Sequence, residues 1–105
     1  MTTFDDRQNA FEAKFAHDAD LQFKVAARRN KLTGLWAAAR LGHVGDAAEV
    51  FAKTVVIADL VEAGDDDVVA KLVADLAGVG VGEAEIRARL ATDDAEARRQ
   101  IMETL

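Results

Sequence analysis

The side chains of this protein offer little covalent chemistry. The chain has no Ser, Cys or Tyr, so most nucleophiles are missing. Its two histidines stand apart, His17 near the N-terminus and His43 between Gly42 and Gly45 in a turn. A metal ion would need carboxylates converging from several elements. The candidates are Asp65, Asp66 and Asp67 with Asp59 or Glu62. Acids at a helix start more simply complement the helix dipole and cap exposed amides, so no metal is expected. Gly78, Gly80 and Gly82 make GxGxG, not GxGxxG; no buried strand precedes them and no Walker lysine follows. They read as a helix stop and a turn. Arg28, Arg29 and Lys31 lie near one another on one helix and can attract a polyphosphate loosely, which makes weak adenine-nucleotide binding the one cofactor alternative. A solvated face is the stronger reading. The protein reads as a non-enzyme without a cofactor.

Composition narrows the class further. At 105 residues the chain is one domain with room for a modest core. Without Cys it has neither disulfides nor thiolate metal sites. No uncharged run approaches the roughly 20 residues of a membrane span, and the first residues lack a secretion signal, so a cytoplasmic location without membrane insertion is expected. The net charge of −6 is uneven: residues up to Gly42 carry +2 and the remainder −8. So acidic a chain with so small a basic cluster is a poor nucleic-acid ligand, and a protein partner suits it better.

Helix punctuation divides the chain and predicts an all-α fold, a small four-helix bundle preceded by a mobile or helical N-terminal arm. Core helices are expected over about 20–41, 46–63, 66–78 and 83–102. Gly42 closes the first as a left-handed cap, and Asp46 with Glu49 opens the second as a capping box. Val50, Phe51, Thr54, Ile57, Ala58 and Val61 mark its apolar face, and Val69, Leu72, Val73 and Leu76 that of the third. In the last helix Asp93 or Asp94 falls where an apolar residue would continue from Leu90 to Ala97, so a break near residue 92 is the alternative to one continuous helix. Trp36, Leu32, Leu35, Phe51, Ile57, Leu72, Leu76, Ile86 and Leu90 are the expected core.

The first third carries two stripes out of phase. Phe4, Gln8, Phe11 and Phe15 form one; Leu21, Val25, Arg28, Leu32, Leu35 and Ala39 form the other. Continuing the first leads to Asp18 and Gln22, so it slips at residues 17–20, where helix propensity is weak. A helix packing as one rod keeps its phase. Residues 1–19 therefore read as an amphipathic arm presented to a partner and residues 20–105 as the bundle. On that view the Phe rings are no part of the core of the free protein.

Thr3-Phe4-Asp5-Asp6-Arg7, Ala10-Phe11-Glu12, Lys14-Phe15-Ala16-His17-Asp18, Arg28-Arg29-Asn30-Lys31-Leu32 and Gly34-Leu35-Trp36-Ala37-Ala38 closely resemble the alphaproteobacterial ATPase inhibitor called subunit zeta. The likeness continues through Ala63-Gly64-Asp65 and the stretch from Glu83 to Ala88, and departs from the family at Thr92-Asp93-Asp94. It implies a four-helix protein on the catalytic head of the F-type ATP synthase, in contact with its alpha, beta and gamma subunits. The N-terminal segment would wedge into a catalytic alpha/beta interface beside gamma and block ATP hydrolysis. Carried onto this chain, the apolar anchors are Phe4, Phe11 and Phe15, with Asp5, Arg7, Glu12 and Lys14 as flanking charges. The resemblance also implies a peripheral position at the inner membrane when bound, and the free protein is expected to be a monomer. A nucleotide-binding sensor and a non-inhibitory assembly factor for the synthase are the alternatives.

Overall fold

Helix α1 spans Thr3–Phe15, α2 Ala19–Arg40, α3 Asp46–Val61, α4 Asp66–Leu76 and α5 Glu83–Glu103, with one 3-10 turn at Ala77–Val79. These come from a computed structural model that describes residues 3–61 and 65–105, with residues 3, 4, 60 and 61 followed along the backbone only. The fold is all-α: α2 to α5 form the bundle and α1 lies against α2 and α5.

Local chemistry sets the ends. α1 stops at Phe15, and the chain turns through Ala16, His17 and Asp18, where the two stripes fall out of phase. Asp18 then caps α2, its carboxylate accepting from the Leu21 amide at 3.0 Å. At the far end Gly42 takes φ +84°, the Gly42 amide donates to the Ala39 carbonyl and the His43 amide to that of Ala38. This pair of bonds closes the helix in a Schellman motif. Asp46 is the first residue of α3 rather than its cap; the Gly45 carbonyl accepts from the Ala48 and Glu49 amides instead. Gly80, at φ +77°, turns the chain between α4 and α5.

The main core joins Ala37 of α2, Val55 of α3, Val68, Val69, Leu72 and Leu76 of α4, Val81 of the turn, and Ile86 and Leu90 of α5. Trp36, Leu41, Phe51 and Val73 pack at its edge. Trp36 is half-buried, its ring flanked by the guanidinium groups of Arg40 and Arg89. Expected core residues Leu72, Leu76, Ile86 and Leu90 are buried, while Leu32 and Leu35 are only partly so.

Ile57 is the clear exception, at 58% exposed, and Val50 stands out at 61%. The cause lies across the helix interface. A Cβ on Gly34 would sit 2.8 Å from the Ala52 Cα, so the α2 and α3 backbones nearly touch there. That approach turns Ala52 and Val55 toward α2 and leaves Val50 and Ile57 outside. The α2 stripe also differs from expectation. Leu21 and Val25 are buried, but Arg28 and Ala39 are exposed and the hidden face continues through Arg29, Asn30, Thr33, Gly34, Ala37 and Ala38. α2 is flanked by α3 on one side and α5 on the other, so it buries a face wider than one stripe.

α5 runs unbroken through residues 92–94. Asp93 does occupy the apolar stripe and is 3% exposed, yet its carboxylate accepts from the Thr33 hydroxyl at 2.8 Å and from Arg89 Nε at 3.1 Å. A buried carboxylate so bonded need not disturb the helix.

Candidate functional site

The aromatic stripe of α1 faces the bundle. Phe11 is 3% exposed and sits among Leu21 and Val25 of α2 and Ala97, Ile101 and Met102 of α5, with Phe15 and Leu32 packed at the edge. The two rings stack at 6.0 Å between centroids. This corrects the expectation that the rings stay out of the core of the free protein. The side chain of Phe4, the first anchor of the stripe, lies outside the described residues; Gln8 is exposed.

Charged groups fasten the rim of this seat. The Arg98 guanidinium lies 4.1 Å above the Phe15 ring centroid, pairs with Glu12 at 3.0 Å and is steadied from behind by Asp94 at 3.0 Å. Arg7 donates to the Met102 carbonyl at 3.5 Å, Lys14 approaches Asp18 at 3.9 Å, and the Gln22 side-chain Nε2 donates to the Phe15 carbonyl at 2.7 Å. Asp5 is exposed and holds a polar partner of its own. Arg99, between Glu96 and Glu103 on α5, lines a small cavity beside Phe11. Hydrogen bonds from Arg99 and then Gln100 hold the Glu96 carboxyl down at about 2. Arg98 and Met102 were not foreseen as partners of the arm. The sequence shows Asp94 and Arg98 at helical spacing, but no local pattern says which element they face.

The basic cluster of α2 does not converge. Arg29 is buried, bonded to the Asn30 side-chain oxygen at 2.9 Å and to Asp65 at 2.9 Å. Asp65 thus serves α2 rather than capping α4 through its side chain. Arg28 and Lys31 point elsewhere, both exposed, with Lys31 3.7 Å from Glu49. Among the described residues no group of His, Asp or Glu is arranged to hold a metal ion; Glu62 lies outside them. No helix among the described residues is long and apolar enough to cross a membrane.

What the geometry offers, then, is an aromatic helix joined to a bundle by three residues and held there by one buried ring and a polar rim. A protein solved by solution NMR is similar to this chain, at 49% identity and a TM-score of 0.73, over 81% of this chain and 99% of that one. The comparison with curated proteins gave no match. A family model for ATPase inhibitor subunit zeta matches residues 1–100. The chain belongs to the ATPase inhibitor subunit zeta family.

Proposed function

We propose that this protein inhibits ATP hydrolysis by the F-type ATP synthase with residues 1–19, which insert at a catalytic alpha/beta interface beside the gamma subunit. Arrest is steric, and the protein contributes no chemistry of its own. It acts where the catalytic head meets the cytoplasm, and its benefit is to prevent ATP waste when the proton gradient falls. The observation that carries this reading is that α1 stands apart from the main core. The stripe breaks phase near the turn that follows Phe15, and no residue of α1 takes part in the Thr33–Asp93 bond or in the main core.

The seat changes the energetics of inhibition. Burying a Phe ring contributes roughly 1.5–3 kcal/mol. Because Phe11 is already buried in the free chain, insertion exchanges one apolar contact for another, and the net gain is the difference between them. A double substitution of Phe11→Ala and Phe15→Ala tests the reading. It removes both rings from the complex, and from the free fold the buried ring of Phe11 and the partly buried ring of Phe15. The expected outcome is a fall in melting temperature together with inhibition weakened about ten-fold, on the order of 1.4 kcal/mol. Both are read from calorimetry and from ATP hydrolysis by the cognate enzyme. Inhibition intact for the folded fraction would sink the arm as the inhibitory element.

A further inference from the structure

A second surface lies beside the seat of α1. A groove of about 360 Å³ runs over the solvent side of α2, with Phe23, Ala27, Val56 of α3 and Ile101 of α5 as its apolar lining. Lys24, Arg28 and Lys31 supply its charge. Phe23 is 55% exposed, unusual for so large an apolar side chain. Lys24 and Arg28 make no ion pair among the described residues, although acids outnumber bases in the chain nineteen to thirteen. Ile101 belongs both to this groove and to the cluster that seats Phe11. The groove is therefore continuous with the surface that α1 uncovers when it leaves.

We propose that this groove docks an acidic amphipathic helix on the catalytic head of the ATP synthase, so that the bundle anchors the protein while α1 inserts. The inference rests on the inhibitory reading above and supplies what that reading lacks. Exchange of Phe contacts alone gives α1 little net affinity, and a separate anchor on the body makes up the difference. The pattern of free cations around an apolar floor selects the partner: carboxylates to meet Lys24 and Arg28, and an apolar helical face to cover Phe23 and Val56. The acidic surface of this chain elsewhere repels such a partner, so the groove also fixes its orientation.

The test uses the full chain and the purified catalytic head of the cognate enzyme, with binding measured by calorimetry at low and at high salt. Lys24→Glu with Arg28→Glu is expected to weaken binding roughly ten-fold or more at low salt, with the difference shrinking as salt screens the pair. Phe23→Ala is expected to weaken binding by a factor that salt leaves unchanged. Melting curves of both variants should match the unsubstituted chain, since neither change breaks a contact of the core. Wild-type affinity for both folded variants would overturn the proposal. So would a charge-reversed variant that binds the head normally but loses self-association in sedimentation, because the occupant would then be a second copy of the chain. If the Phe11 and Phe15 double variant inhibits normally while the groove variants lose affinity, the arm reading falls and the groove stands. A chain that does not bind the head at all overturns both.

Discussion

The two apolar clusters of this molecule are closed in opposite ways. The main core is aliphatic, draws on α2, α3, α4 and α5, and leaves its members no more than 5% exposed. The seat of α1 is centred on one aromatic ring, draws on three helices, and is finished by Arg98, Glu12 and Arg7 at the solvent boundary. Opening the first means separating every helix of the bundle. Opening the second means lifting one helix of thirteen residues. Segments with few buried contacts and exposed polar ties open locally, at a free energy below that of global unfolding. A partner that competes for Phe11 and Phe15 therefore has to overcome only the local term, while the bundle that presents the arm keeps its shape.

Substitutions at the two clusters should differ in kind as well as in size. Leu72→Ala, at a fully buried site of the main core, is expected to cost about 2–5 kcal/mol. It should lower the denaturation midpoint of every helix together. Met102→Ala empties part of the seat while leaving the residues of α1 themselves unchanged and is expected to cost about 1.5–3 kcal/mol. Hydrogen exchange should then quicken in α1 and at the end of α5, with protection of α4 retained, and inhibition should strengthen because the docked state that competes with insertion is weakened. Equal loss of protection in all helices would show that the clusters do not open separately. Glu12→Gln removes one exposed rim pair with Arg98, about 0.2–1 kcal/mol. Its effect on α1 exchange should be the smallest of the three and should vanish at high salt.

Features decided by neighbouring residues were legible in the sequence. The phase slip separates α1 from α2 where the chain turns, Gly42 stops α2, and Leu72, Leu76, Ile86 and Leu90 mark faces that are buried. What failed was set by contact between distant elements. Ile57 continues a good helical stripe, but Gly34 draws Ala52 to the interface and rotates that stripe into solvent. Asp93 reads as a helix breaker until Thr33, sixty residues away, supplies its hydroxyl. Arg28 and Arg29 look alike as neighbours, yet one is exposed while the other is buried against Asn30 and Asp65. The arm was readable as an amphipathic helix, and its destination in the free chain was not. A Phe stripe fits a seat on α5 as well as a seat on a partner, and periodicity carries no address.

The link between α1 and α2 is only Ala16, His17 and Asp18. Fully extended, the four Cα–Cα steps from Phe15 to Ala19 reach at most about 14 Å. On the proposed mechanism, the surface that receives the C-terminal end of α1 must therefore lie within that distance of the surface that meets the start of α2. A tether this short confines the arm to a small volume around the anchored bundle, where its effective concentration is on the order of millimolar or above. Insertion then becomes an event within one complex rather than a second encounter. A longer linker would preserve every contact of both surfaces and still dilute the arm, so on the proposed mechanism the length of these three residues is itself a determinant of inhibitory strength.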